Sequence, residues 1–165
     1  MIILGIDPGL ANTGFGVVSK TRNRKSKTQN RLKCLGYGLI KTNPSLSPAE
    51  RLKKINNELN KLIKKYQPKV LAVENVYFFK NLKTVIPVSQ AKGVILFTAA
   101  KKKIPVYEFT PLQVKMVITG FGRAEKKQIQ RMIKVLLNLK EVPEPDDAAD
   151  ALGIAVCCAY RVRGD

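Results

Sequence analysis

Residues Val70 to Val73 form an unbroken apolar run that ends in Glu74. A short apolar run without alternation marks a strand buried on both faces, and such a strand needs helices packed on either side of its sheet. A second run, Ile2 to Ile6, ends in Asp7 and is followed by Pro8-Gly9. Two strands of this kind, each closing on a carboxylate, are candidates for the centre of an α/β sheet. Ligand sites in such sheets lie beyond the carboxyl ends of the strands.

The rest of the chain fits around them. Gly14 to Ser19 and Leu35 to Lys41 alternate as strands, which with Ile2 to Ile6 makes an antiparallel meander. Between them, residues Lys20 to Lys33 carry seven basic side chains and no acid, the pattern of a solvated hairpin tip able to touch phosphates. Ser47-Pro48-Ala49-Glu50 is a capping box, and Leu52, Ile55, Leu59, Leu62, Ile63 and Tyr66 follow at helical spacing until Pro68. Pro87 to about Lys103 reads as a second helix and Ile104 to Phe109 as a fifth strand. Thr110-Pro111-Leu112-Gln113 opens a short third helix, Glu125 to Leu139 a fourth, and Asp146 to about Arg161 the last. The expected fold is one α/β domain spanning residues 1–165, with a mixed five-stranded sheet (strands 1–3 antiparallel, then parallel) and helices on both faces.

Composition narrows the chemistry. Thirty Lys and Arg against twelve Asp and Glu give a net charge of +18, a field that favours a polyanionic partner. No apolar run approaches the roughly 18 residues that span a bilayer. The opening lacks the basic n-region of a signal peptide, so no membrane partner and a cytoplasmic location are expected. The chain has no histidine, which removes Ser-His-Asp and Cys-His catalysis and any histidine-containing zinc site. Cys157 and Cys158 are adjacent in an apolar stretch and read as buried small hydrophobes. If the chain is a hydrolase, carboxylates and metal ions do the work.

The acids are placed accordingly. Asp147 and Asp150, three apart in the last helix, project from one face. Facing Asp7 and Glu74, they would form a four-carboxylate nest, an arrangement that mutual repulsion disfavours unless metal is bound. Each signal alone has an ordinary reading. Asp7-Pro8-Gly9 is good turn chemistry, and Asp146 and Asp147 complement the positive end of a helix. Asp150, a turn inside an apolar segment, is harder to explain that way. Hard oxygen donors without imidazole or thiolate point to Mg²⁺, with Mn²⁺ able to substitute. Two such ions roughly 4 Å apart activate water and stabilise the entering and leaving oxygens of a phosphodiester displacement.

On six ordered blocks the sequence resembles the RuvC-type Holliday-junction resolvases over nearly its whole length. The blocks are Ile3 to Gly9 with Thr13 to Val17, Ala72 to Tyr77, Gln90 to Gly93, Gln113 to Lys115, Gly122 to Lys126, and Asp147 to Leu152. The resemblance implies a ribonuclease H-like fold, a homodimer, and Mg²⁺-dependent paired nicks placed symmetrically across a four-way DNA junction. It puts the family's metal-binding and catalytic acids on Asp7, Glu74, Asp147 and Asp150, two ions to a site. Lys115 and Lys126 fall on lysines that approach DNA near the scissile phosphate. Tyr77 falls on an aromatic position that stacks on bases at the junction centre, with Phe78 and Lys80 as neighbouring DNA contacts. A branch-migration complex is the further partner the family suggests. The Lys20 to Lys33 segment is longer and more basic than the family pattern, and Pro87 stands in a region usually helical.

Three other readings compete. Actin-like ATPases and sugar kinases open with a similar Asp-x-Gly turn, but a second phosphate-binding glycine turn is missing. A non-cleaving junction or nucleic-acid binder would have little use for acids beside phosphates. A related nuclease acting on RNA or on simpler branched DNA would share the same metal site.

Overall fold

The computed structural model describes residues 1–22, 30–75 and 82–162. The strands are β1 (Ile2–Asp7), β2 (Asn12–Arg22), β3 (Asn30–Lys41), β4 (Val70–Glu74) and β5 (Val106–Phe109). The helices are α1 (Pro48–Tyr66), α2 (Leu82–Lys101), α3 (Pro111–Thr119), α4 (Lys126–Leu136) and α5 (Asp146–Arg161). The sheet runs β3-β2-β1-β4-β5, with β1–β2 and β2–β3 antiparallel and β1–β4 and β4–β5 parallel. The two strands that end on acids are therefore neighbours at its centre, as their apolar runs predict.

Strand alternation sorts the side chains into two layers. Ile3, Val70 and Ala72 pack on α3, α4 and α5, while Leu4, Ile6, Leu71 and Val73 pack on α1 and α2. Each large side chain removed from water in these layers contributes about 1.5–3 kcal/mol. Both capping boxes form. Ser47 N–H donates to Glu50 Oε2 at 2.9 Å and Glu50 N–H to Ser47 Oγ at 3.3 Å. At α3, Thr110 N–H donates to Gln113 Oε1 at 2.9 Å and Gln113 N–H to Thr110 Oγ1 at 3.1 Å.

Several boundaries differ from the sequence expectation. β2 and β3 run on to Arg22 and back from Asn30, so much of the basic segment is strand, with residues 23–29 outside the described ones. α2 starts at Leu82 and carries Pro87 inside it, at the expense of one i→i−4 hydrogen bond. Ile104 belongs to the close of α2, because its N–H donates to Ala99 O beyond the left-handed turn at Lys103 (φ 55°). β5 begins only at Val106. α4 stops at Leu136, where Asn138 (φ 50°) turns the chain.

The closest packing is between α5 and three strand glycines. Gly5 pairs with Gly16 and Asp7 with Gly14 across β1 and β2, so all four residues face the same way. A Cβ on Gly5 would strike the carbonyl of Ala151, one on Gly14 the carbonyl of Asp147, and one on Gly16 the backbone of Leu152. The helix backbone thus lies directly on the strand backbones. Gly5→Ala is expected to destabilise the fold by about 2–3 kcal/mol through overpacking. Gly93→Ala, at an exposed α2 position with open space around it, should instead stabilise by about 0.5–1 kcal/mol. Denaturant midpoints of the two variants measure the contrast.

Candidate metal centre

The same alternation that places Ile3 and Gly5 beneath α5 turns Asp7 toward that helix. Ala72 lies opposite Gly5 in β4, and Glu74, two residues on, faces the same side beside Asp7. The chain after Asp7 is tied down: Thr13 Oγ1 donates to Gly9 O at 2.6 Å, and Thr42 Oγ1 to Leu10 O at 2.6 Å. Asn75 N–H donates to Phe109 O at 2.8 Å and fixes the exit from β4. Two carboxylates therefore stand on rigid strand ends. The α5 backbone, seated on the glycines, brings Asp147 and Asp150 over them.

Electrostatics show how tightly the acids crowd. Burial pushes Asp7 up to about 8, with further upward pressure from Glu74, Asp150 and Asp147 and partial relief from Lys126. Burial likewise raises Glu74, with Asp150 adding to it; a hydrogen bond with Asp7 and the charges of Lys126 and Lys92 pull the other way. Asp150 is raised by burial, opposed by Lys126. A hydrogen bond joins the Asp7 and Glu74 carboxyl groups. Among the described residues, no three acid or thiol side chains converge on one ion-sized point as they stand. The donor chemistry nevertheless suits a hard divalent cation: oxygen ligands only, partly buried, whose mutual repulsion a cation would relieve.

The lysines divide. Lys126 lies 3.2 Å from Asp150 Oδ2 and 3.1 Å from Asp146 Oδ2. Burial works against its charge, but Asp150 and Asp146 outweigh that and hold its pKa above the ordinary range. Lys115, on α3, lines a cavity of about 230 Å³ together with Glu74, Asp150 and Lys126. Tyr77, Phe78 and Lys80 lie outside the described residues.

Some site neighbours were not singled out by sequence reasoning. Gln130 Nε2 donates to Asp146 Oδ1 at 2.8 Å and draws that acid toward α4; Gln130 is one helical turn from Lys126, and that spacing is a usable signal. Lys92 Nζ donates to Asn75 Oδ1 at 3.2 Å and pairs with Glu108, and its charge is also felt by Glu74, a meeting of α2, β5 and the exit from β4 that no local pattern announces.

A central strand pair ending on acids, in a sheet of this order with a carboxylate-bearing helix laid across it, defines the ribonuclease H-like class. The family model described as crossover junction endodeoxyribonuclease RuvC matches residues 3–158. The chain is 47% identical to the crossover junction endodeoxyribonuclease RuvC of Halothermothrix orenii, covering 99% of this chain and 94% of that one. It is 50% identical to the protein of the same name from Desulforamulus reducens, covering 96% and 93%. Among solved structures it is similar to Thermus thermophilus RuvC in complex with Holliday junction substrate, with a TM-score of 0.88 at 32% identity over 97% of this chain and 93% of that one. The chain belongs to the crossover junction endodeoxyribonuclease RuvC family.

The raised acids make a pH prediction. Protonated Asp7 is favoured in the fold, so its stabilisation is complete below the ordinary 3.8 and is lost as pH rises through about 8. In EDTA the protein should lose thermal stability from about pH 4 to about pH 8. Asp7→Asn should flatten that profile and raise the melting temperature at pH 8 in EDTA.

Proposed function

We propose that this chain is an endonuclease that resolves four-way DNA junctions by paired, symmetric, metal-dependent hydrolysis of phosphodiesters. The observation that carries the reading is the set of crowded carboxylates from β1, β4 and α5, held with raised proton affinity in a chain of net charge +18. Acids in that number beside a polyanion are unfavourable unless they serve a cation. Membership of the family supports the substrate, and the Thermus relative is itself described with a Holliday junction.

Asp7, Glu74, Asp147 and Asp150 are the residues that would hold two Mg²⁺, with Mn²⁺ as a substitute. Those ions would supply an activated water and charge stabilisation for the entering and leaving oxygens. Asp7 must first give up its proton, which binding of a cation favours. Rigid strand ends keep Asp7 and Glu74 in place while the backbone-seated helix fixes their two partners. Lys126 and Lys115 line the same cavity as Glu74 and Asp150, which supports their approach to DNA near the scissile phosphate. Tyr77 carries the stacking role that the resemblance implies at the junction centre, with Phe78 and Lys80 as neighbouring DNA contacts. A homodimer would present two such sites to opposing strands. Residues 1–165 acting as one domain, a cytoplasmic location and delivery by a branch-migration complex complete the proposal. Among the described residues no helix is long and apolar enough to cross a membrane.

The test is a mobile four-way junction incubated with the protein in Mg²⁺ or in EDTA, with nicks mapped on each strand. Paired nicks on opposing strands are expected, abolished by EDTA and reduced at least 10³-fold (order of magnitude) by Asp7→Asn while junction binding persists. Binding without cleavage by the wild type in both Mg²⁺ and Mn²⁺ would leave a non-cleaving binder as the better reading.

A further inference from the structure

Asp146 adjoins the four acids yet is held differently from them. Both of its oxygens are engaged from α4: Gln130 Nε2 at 2.8 Å on Oδ1, and Lys126 Nζ at 3.1 Å on Oδ2. Gln130 is itself buried, and it stands four residues from Lys126, so one face of α4 grips the carboxylate at two points. Lys126 reaches Asp150 Oδ2 at 3.2 Å with the same ammonium. Of its three donors, two are directed at acids and a third is left for another acceptor among the described residues.

Resting on the function proposed above, we infer that Asp146 is a positioning residue for Lys126, holding its ammonium at the rim of the metal centre through a Gln130–Asp146–Lys126 chain. A cation that takes Asp150 competes with the ammonium for that carboxylate. A lysine held only by Asp150 would then be released onto a long, freely rotating stem. Held also by Asp146, it stays within reach of a phosphate oxygen and loses little rotamer freedom on meeting it. The bland alternative is that Asp146, in the first turn of α5, only complements the helix dipole. That role would be indifferent to Lys126.

A double-mutant cycle separates the two. Asp146→Asn should lower kcat on a four-way junction about tenfold. Junction affinity in EDTA should hold or tighten slightly, because a negative charge near phosphate has gone. In a Lys126→Gln background, Asp146→Asn should leave kcat unchanged, since the group it positions is already missing. Melting temperatures taken alongside identify a variant that has simply unfolded, and Asp146→Glu, which keeps the charge, should recover part of the rate. Equal loss in both backgrounds, or no loss in the single variant, would overturn the inference. A wild type inert on the junction would overturn the proposed function instead, and this inference with it.

Discussion

The seating of α5 on β1 and β2 is the contact on which the site depends. Gly5, Gly14 and Gly16 leave no side chain between helix and sheet, so carbonyls and backbone atoms of Asp147, Ala151 and Leu152 meet the strands directly. Glycine inside a strand is unfavourable by about 0.5–1 kcal/mol relative to alanine, and here it occurs three times on one surface. The close approach offsets that through dense packing along a helix that is buried from Ala151 to Ala159. It also sets a height. A helix resting on valines would hold Asp147 and Asp150 farther from Asp7, and the acids would no longer share one field.

How much of this the sequence disclosed depends on the range of each signal. The apolar runs before Asp7 and Glu74 report burial on both faces, and burial on both faces places a strand inside a sheet; β1 and β4 do pair there. Both capping boxes are local chemistry and were legible as written. The boundary of α2 was not, because tertiary packing tolerates a proline at residue 87 that local rules would set at a helix start. The last turn of α4 and the start of β5 were misjudged for a related reason: Asn138 and Lys103 adopt left-handed turns that their residue types do not announce. At the site, Asp7, Glu74, Asp147 and Asp150 could be listed from strand ends and helical spacing. Their mutual approach is non-local and rests on the glycine floor, which reads in sequence only as weak strand. The roles of Gln130 and Lys92 belong to contacts between distant elements.

Charge is distributed unevenly in a way that serves one end of the sheet. A strongly basic surface draws in a polyanion, yet at the strand ends the local charge is acidic. Lys126 tempers that reversal, easing the upward pressure on Asp7, Glu74 and Asp150 together. Burial remains the larger influence on all three. Crowding among the acids adds to that influence.

Helix α5 also carries the adjacent pair Cys157 and Cys158, fully buried on the core side. Burial pushes their thiols up to about 11 and about 12, so at neutral pH neither offers a thiolate. With histidine missing from the sequence as well, the helix presents the outside world with oxygen donors alone. Zinc and copper bind most sites more tightly than magnesium does, and it is imidazole and thiolate that give them their foothold. By keeping its own sulfur buried and protonated, α5 denies such ions that foothold beside its acids.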